Sequence, residues 1–258
     1  MILAVLQARM SSSRLPGKVL LPLAGAPMLQ RQIERVQRAR RIDELVVATS
    51  EDSSDDAIAQ LAERLGIRSF RGSLEDVLER LYRAALPYSP RFVVRLTGDC
   101  PLTEPDLVDA VVERLVAGGF DYVNTSMVPT YPDGLNVEAM RFEVLAEAHR
   151  NARLASQREH VTLYIKDHPE RYRLGVVSDS CNRSNLRWTV DAPEDYELVR
   201  RIYEKLYPKN PAFGRDDVFR LLASDPALSQ INAHLRRNEG LARSLAHDRI
   251  VPRHEADE

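Results

Sequence analysis

The sequence begins with a short apolar run that stops abruptly at a polar segment. Residues Ile2 to Leu6 are all apolar and have the length of a strand, and such a run is typical of a central parallel strand covered by helices on both faces. The connection that follows, residues 7–18, contains three serines, two arginines and Lys18. Open α/β sheets bind ligands at the carboxyl ends of parallel strands, and cations with hydroxyl groups suit phosphate. We therefore predict that this connection, the basic loop, binds a nucleoside triphosphate.

Two better-known phosphate-binding loops do not match the basic loop. A Walker A loop needs a glycine where Ser12 stands and a Ser or Thr after Lys18, where this chain has Val19. A dinucleotide-binding loop needs three glycines within six residues, and here only Gly17 is present. From the residues alone, the alternative is a surface loop whose cations face water.

Length and composition exclude several classes of protein. The 258 residues suffice for one large α/β domain with a substantial core, or for two small ones. A net charge of −2 gives no reason to expect a nucleic-acid partner, and no apolar run approaches the roughly 18 residues that span a membrane. The first apolar run is too short for a signal peptide, and Cys100 and Cys181 lack metal-type spacing. We expect a cytoplasmic protein with free thiols.

Apolar strands and amphipathic helices alternate regularly up to about residue 124, as in an α/β domain. From 125 to 184 the alternation loosens, and we expect a small α+β lobe there. We treat 1–258 as a single domain with a loosely ordered tail over 239–258. The predicted strands cover 45–49, 67–70, 92–96, 121–124 and 172–177, and the predicted helices cover 27–40, 53–65, 73–85, 103–117, 160–167, 196–207, 216–223 and 226–237.

Asp99 is the first candidate metal ligand. It follows the predicted strand 92–96, between Gly98 and a nearby proline, Pro101, that fixes the turn. Mg²⁺ takes one or two protein carboxylates, several waters and the oxygens of bound phosphates. A carboxylate at the tip of a central strand is well placed for this. The alternative is a turn aspartate that bonds its own backbone.

A second carboxylate is predicted in a similar position. Residues 186–191 have the pattern of a strand that ends in Asp191, and Pro193 begins the following helix. Asp99 and Asp191 are far apart in sequence, yet both would end strands at the same edge of the sheet, so that one metal ion could bridge them. Asp191 could instead be a simple N-cap.

These segments resemble the signatures of the CMP-sugar synthetases, the cytidylyltransferases that activate acidic sugars. In that family the first strand is followed by Ala-Arg-x-x-Ser and then by Arg-Leu-Pro-Gly-Lys. The matching residues here are Ala8, Arg9, Ser12 or Ser13, and residues 14–18. The segments around Asp99 and Asp191 resemble the family's Gly-Asp-x-Pro-Leu and Val-Asp-x-Pro-Glu-Asp motifs. The wording Gln-Ala-Arg-Met-x-Ser is closest to the branch of the spore coat polysaccharide biosynthesis protein F.

The resemblance implies a fold and a set of nucleotide contacts. The fold is the three-layer, Rossmann-like fold of the nucleotide-diphospho-sugar transferases, with a mostly parallel sheet and a lobe at 125–184 for the acceptor and for homodimerisation. A second nucleotide segment is implied at 71–78, where the residues alone predict a capping box between Ser73 and Asp76. The residues implied to bind the nucleotide are Ala8, Arg9, Ser12, Ser13, Arg14, Lys18, Gly72, Ser73, Asp76, Thr97 and Gly98.

Two segments of the lobe resemble Pro-Asp-Gly-x-x-x-Glu and Arg-Glu-His of the spore-coat branch. The residues implied to bind the acceptor are Asp133, Asn136, Glu138, Arg158, Glu159 and His160. Arg158 could pair with a sugar carboxylate, and His160 could act as a base. From the residues alone, Ser156 and Glu159 could equally form a capping box that opens a helix at 160–167, with His160 at its surface.

The implied reaction is nucleotidyl transfer from CTP to an acidic keto-sugar, a nonulosonate or an octulosonate, for surface polysaccharide. The implied catalytic residues are Arg9, Lys18, Asp99 and Asp191, and the last two would bind Mg²⁺. Three alternatives stay open. A glycosyltransferase of this fold would normally carry Asp-x-Asp where this chain has Gly98-Asp99-Cys100. A sugar-1-phosphate nucleotidyltransferase would need cations for the acceptor phosphate, and a non-catalytic nucleotide-binding module is the third.

Overall fold

A seven-stranded sheet forms the centre of the protein in the computed structural model, which describes residues 1–251. The strands are β1 (Ile2–Gln7), β2 (Pro22–Leu23), β3 (Ala26–Pro27), β4 (Glu44–Ser50), β5 (Arg68–Gly72), β6 (Phe92–Thr97), β7 (Tyr122–Asn124), β8 (Glu138–Arg141) and β9 (Leu174–Val176). The sheet order is β5-β4-β1-β6-β8-β7-β9, and β8 alone among these strands runs antiparallel to its neighbours. The short hairpin of β2 and β3 lies outside this sheet and follows the basic loop.

Helices cover both faces of the sheet. They are α1 (Met28–Val36), α2 (Asp56–Arg64), α3 (Val77–Ala85), α4 (Pro105–Gly118), α5 (Phe142–Asn151), α6 (Ala155–His160), α7 (Leu163–Lys166), α8 (Pro193–Leu206), α9 (Arg215–Ser224), α10 (Ala227–Gln230) and α11 (Glu239–Ala246). Within residues 1–251, none of the helices has the length and apolar character needed to cross a membrane.

The alternation of side chains along β1 explains the layering. Ala4 and Leu6 pack into a core shared with α1, α2, α4 and α8, whereas Leu3 and Val5 pack into a second core shared with α3, α5 and α7. All four side chains are fully buried. A strand that is apolar on both faces needs a helical layer on each side. The predicted three-layer, mostly parallel α/β architecture is confirmed.

The predicted strand at 186–191 does not form. Arg187 makes only an isolated parallel bridge to Asp133, and the backbone at Trp188 and Thr189 packs directly against the turn at Gly134. Gly134 has a φ of 104°, and a Cβ there would lie 2.4 Å from the Thr189 nitrogen, so only glycine lets the two segments approach. The segment is therefore held by this contact rather than by the main sheet.

Two predicted helices also differ from the structure. The predicted helix at 226–237 is limited to α10, because the buried Asn232 side chain turns inward and donates to the Arg187 carbonyl and the Asp195 carboxylate. The predicted helix at 160–167 is shorter than expected. Its first residue, His160, ends α6, and Val161, whose φ is 58°, separates α6 from α7. The proposed capping box is wrong, because Ser156 lies inside α6 and its hydroxyl bonds Asp248.

The C-terminal segment is more ordered than the sequence predicts. Residues 239–246 form α11, which contacts α6. The Val251 amide donates to the Arg153 carbonyl and the Ala155 amide donates to the Arg249 carbonyl, which holds the segment beside α6. The remainder of the predicted loose tail, residues 252–258, lies outside the described residues.

Candidate active site

A cavity of about 480 Å³ lies at the carboxyl ends of β1 and β6. Among residues 1–251, its wall carries more cations than acids. The cations are Arg9, Arg14, Lys18, Arg80, Arg95, Lys166, Arg187, Arg236 and Arg243, and the acids are Asp99, Asp133, Glu138, Glu159, Asp191 and Glu239. This excess of positive charge favours an anionic ligand. A more open hollow of about 420 Å³ between α2 and β5 contains none of the sequence-predicted site residues.

The basic loop is folded against the end of β1. The Met10 carbonyl accepts hydrogen bonds from the amides of Ser12 and Gly17, and the Met10 amide donates to the buried Asp55 carboxylate at 2.7 Å. Gly17 has a φ of 71°, and a Cβ there would lie 3.3 Å from the Met10 side chain, so glycine is required at this turn. The turn delivers Lys18 into the cavity with its side chain only 10% exposed.

Lys18 lies between the two predicted metal ligands. Its Nζ is 2.7 Å from Asp191 Oδ1 and 3.7 Å from Asp99 Oδ2, and Arg14 Nη2 lies 3.1 Å from Asp191 Oδ2. Burial alone would raise the pKa of Asp191, but Lys18, Arg14 and Arg187 outweigh it, so the pKa of this carboxyl is lowered. The structure therefore brings Asp99 and Asp191 together at the basic loop, as the sequence predicts.

Backbone contacts fix the position of both carboxylates. The Gly98 amide donates to the Gln7 carbonyl at 2.8 Å, and a Cβ at Gly98 would lie 3.0 Å from that oxygen. Thr97 Oγ1 donates to Asp99 Oδ1 at 2.5 Å. The Val190 amide donates to the Asp99 carbonyl at 2.8 Å, which sets Asp191 beside Asp99 without the predicted strand.

Arg187 organises the acidic side of the cavity, and sequence reasoning missed it. This side chain, 7% exposed, lies within 3.2 Å of three carboxylates, those of Asp133, Asp191 and Asp195. Burial disfavours its charge, but hydrogen bonds to Asp195 and the three acids together raise the pKa of Arg187. Asp195 also accepts the amides of Asp191 and Ala192 and so starts α8. The sequence does contain a signal for it: Arg187 stands between Leu186 and Trp188, and a single charge in an apolar segment indicates a buried charge with a partner.

Four of the residues implied to bind ligands do not line the cavity: Gly72, Ser73, Asp76 and Arg158. Asp76 caps α3 through the Glu79 amide at 2.9 Å and pairs with Arg158 at 2.5 Å. Ser73 Oγ accepts the Asp76 amide, so the N-cap is Asp76 rather than Ser73. Because Arg158 is buried against Asp76 and the His149 carbonyl, it does not face a sugar carboxylate. Val77 and Arg80 of α3 line the cavity instead.

The other residues implied to bind the acceptor do reach the cavity. They are Asp133, Asn136, Glu138, Glu159 and His160. Ser244 of α11 donates to Glu159 at 2.7 Å and lies 3.0 Å from His160 Nε2. Burial lowers the pKa of His160, although Glu159 opposes this, so the imidazole is neutral near pH 7.

The carboxylates suit a divalent cation that also binds phosphate. Within residues 1–251, no cluster of three or more His, Cys, Asp or Glu side chains could hold a metal unaided. Asp99 and Asp191 would supply two hard oxygen ligands beside Lys18 and Arg14 of the basic loop. Mg²⁺ needs only one or two protein carboxylates when phosphates and waters complete its octahedron, so these residues fit it.

Comparison with known sequences identifies the family. The sequence profile of the family described as Cytidylyltransferase matches residues 3–212. An uncharacterized protein of Methanocaldococcus jannaschii is 35% identical over 92% of this chain and 96% of its own. The spore coat polysaccharide biosynthesis protein SpsF of Bacillus subtilis is 35% identical over 87% and 95%, respectively. The 3-deoxy-manno-octulosonate cytidylyltransferase of Anaeromyxobacter dehalogenans is 39% identical, over 45% of this chain and 48% of its own.

Solved structures share the fold. A cytidylyltransferase from Leptospira borgpetersenii superposes with a TM-score of 0.85 at 29% identity, over 89% of this chain and 96% of that one. A CMP:2-keto-3-deoxy-manno-octonic acid synthetase complexed with CTP gives 0.63 at 20%, over 79% and 98%. A manganese complex from Mycobacterium tuberculosis gives 0.53 at 18%, over 78% and 98%. The architecture is thus the nucleotide-diphospho-sugar transferase fold, and the chain belongs to the cytidylyltransferase family.

Proposed function

We propose that this protein transfers CMP from CTP to an acidic keto-sugar, a nonulosonate or an octulosonate, for surface polysaccharide biosynthesis. The observation that carries the proposal is the position of Lys18 between Asp99 and Asp191 in a cavity with excess positive charge. The CTP complex and the octulosonate enzyme among the similar proteins support the choice of nucleotide and acceptor. The sequence similarity to SpsF supports the role in polysaccharide synthesis.

The basic loop would bind the triphosphate. Arg9, Arg14 and Lys18 would neutralise the β- and γ-phosphates, while Ser12 and Ser13 offer hydroxyl donors. An acceptor hydroxyl oxygen then attacks the α-phosphorus in line. The bond from that phosphorus to the oxygen shared with the β-phosphate breaks, and pyrophosphate leaves with the electron pair. Such a transition state requires positioning and charge neutralisation above all.

Asp99 and Asp191 would hold Mg²⁺. When bound, the ion would supply Lewis-acid stabilisation of the α-phosphate and lower the pKa of the attacking hydroxyl. The low pKa of Asp191 keeps that carboxylate ionised, and Thr97 orients Asp99 through its hydroxyl. Lys18, which donates to Asp191 and lies 3.7 Å from Asp99 in the structure, would donate to phosphate oxygens when the nucleotide is present. His160, neutral near pH 7, can accept the proton of the acceptor hydroxyl.

We further propose a cytoplasmic homodimer. The free thiols Cys100 and Cys181 suit a reducing compartment. Met127 and Val128, adjacent residues of the lobe at 125–184, expose apolar side chains that a second copy could cover. Light scattering coupled to size-exclusion chromatography tests the dimer. A nucleic-acid partner would not suit the net charge of −2.

A pyrophosphate-release screen tests the proposed reaction. We expect release when CTP and an acidic keto-sugar such as 3-deoxy-manno-octulosonate are both present, with UTP, GTP and ATP at least about tenfold less efficient. The reason is that excess cations favour an anionic acceptor and the relatives use cytidine nucleotides. Omission of the sugar, and heat-denatured protein, are the controls.

A wider acceptor panel, an assay with nucleotide-sugars and a CTP-binding measurement would identify a different protein. Release with sugar phosphates but not with free keto-acids would show a sugar-1-phosphate nucleotidyltransferase. Release of free nucleotide from a nucleotide-sugar would show a glycosyltransferase. Binding of CTP without turnover of any acceptor would reduce the protein to a nucleotide-binding module.

A further inference from the structure

A second group of charges lines the cavity, and the reaction described above does not use it. We call it the charge cluster: Arg95 of β6, Glu138 of β8 and Lys166 at the end of α7. Arg95 and Glu138 face each other across the antiparallel strand pair, and Arg95 Nη1 donates to Glu138 Oε2 at 2.5 Å. Lys166 Nζ donates to Oε1 of the same carboxylate at 2.7 Å. Two cations thus share one carboxylate, which leaves one net positive charge in the cavity wall.

Glu138 accepts hydrogen bonds from four side chains in all. Its Oε1 also accepts hydrogen bonds from the hydroxyl groups of Tyr122 and Thr162, and its side chain is 9% exposed. Burial would raise the pKa of Glu138, but Lys166 and Arg95 hold it far below the usual range. Three of the four donors bond Oε1 and one bonds Oε2, so most of the acceptor capacity of this ionised carboxylate is used within the protein. These contacts suit a carboxylate that positions the two cations, and its predicted contact with the acceptor stays a prediction.

Both cations keep hydrogen-bond donors that residues 1–251 do not use. Arg95 uses Nε on the Gln7 side chain and Nη1 on Glu138, which leaves Nη2 without a hydrogen bond among residues 1–251. Lys166 has two further N–H bonds, and its side chain is 28% exposed at the cavity. A planar guanidinium beside an ammonium can bind both oxygens of a carboxylate. Leu163 of the same wall offers apolar contact for a carbon skeleton.

In the proposed function, the cations of the basic loop bind the triphosphate. Arg9, Arg14 and Lys18 lie on that loop, whereas Arg95 reaches the cavity from β6, beside Gln7 of β1, and Lys166 reaches it from α7. We propose that Arg95 and Lys166 bind the carboxylate of the acceptor sugar and that Glu138 positions them. This inference rests on the proposed function, because it assumes an acidic acceptor.

Lys166→Met is the first test, since Lys166 lies at the end of a short helix and is partly exposed. With the acidic sugar that the wild type turns over best, we expect the KM for that sugar to rise about ten- to hundredfold, as for loss of one charge-assisted hydrogen bond. The KM for CTP should stay within about twofold. With the methyl ester of the same sugar, Lys166→Met should have the same kcat/KM as the wild type. In Lys166→Arg, the KM for the acidic sugar should return most of the way to the wild-type value. Lys205→Met, an exposed lysine on α8, is the matched control.

Glu138→Gln and Arg95→Lys test the positioning role. Each should raise the KM for the acid far more than it lowers kcat, and each should reduce the preference for the acid over its ester. Thermal unfolding of every variant checks whether the fold is kept. A change confined to the KM for CTP would overturn the inference, because the cluster would then bind phosphate. Unchanged kinetics in both Lys166→Met and Arg95→Lys would overturn it while leaving the proposed function standing; a wild type that accepts only sugar phosphates would overturn both.

Discussion

Replacement of Asp99 by Asn should lower kcat/KM for pyrophosphate release by a factor of about 10²–10³ or more. The amide keeps the shape of the side chain and its bond from Thr97, but it removes the negative charge beside Lys18. Because Asp99 is one of two carboxylates that would hold Mg²⁺, the half-saturating magnesium concentration should also rise. Steady-state kinetics over a magnesium titration measure both effects.

The matched control is Asp106→Asn, which neutralises an exposed aspartate in the first turn of α4 that pairs only loosely with Arg40. Its activity should equal that of the wild type. A chelator should abolish the wild-type reaction. It should lower kcat/KM of the Asp99→Asn variant only slightly further, because the substitution and the chelator remove the same interaction. Wild-type rates in Asp99→Asn, or in the presence of the chelator, would refute the metal assignment.

Arg187→Met should cost about 3–5 kcal/mol of unfolding free energy at pH 7. The substitution leaves the carboxylates of Asp133, Asp191 and Asp195 without their shared cation, and Asp195 is fully buried. Burial already raises the pKa of Asp133 even with Arg187 present, so loss of the arginine should make that carboxyl harder still to ionise. Urea unfolding followed by circular dichroism measures the loss.

Arg201→Met is the matched control for this stability measurement. Arg201 pairs with Glu197 on the exposed face of α8, where a single ion pair contributes little. The expected loss is far smaller than for Arg187→Met. Similar losses in the two variants would show that the Arg187 network does not stabilise the fold.

Local signals were sufficient for the central part of the site. The apolar run at 2–6, the basic loop and the Gly98-Asp99 turn each encode their conformation within a few residues, so the sequence predicted where they meet. Asp191 was placed correctly for the wrong reason. Its position depends on the hydrogen bond from the Val190 amide to the Asp99 carbonyl and on the close approach of Gly134 to Thr189, which are contacts between distant segments.

Long-range pairing also explains the misplaced residues. Arg158 resembles a ligand-binding arginine in its motif, but its guanidinium forms an ion pair with Asp76, the N-cap residue of α3, which is distant in sequence. Arg95 was missed although it is a single charge inside an apolar strand, a pattern that marks a buried charge with a partner. Its partner, Glu138, lies on β8, and nothing local to either residue predicts that pairing. The order of α11 depends likewise on contacts with α6.

The position of α11 has a practical consequence for experiments on truncated forms. The family match ends at residue 212, and all seven strands of the main sheet lie before it, yet Arg236, Glu239 and Arg243 form one wall of the cavity. Glu239 even pairs with Arg14 of the basic loop at 2.6 Å. A protein trimmed to residues 3–212 would keep all seven strands of the main sheet and lose part of the cavity wall. Rate constants measured on such a fragment would therefore not apply to the full chain, because the fragment lacks these three cavity-lining residues.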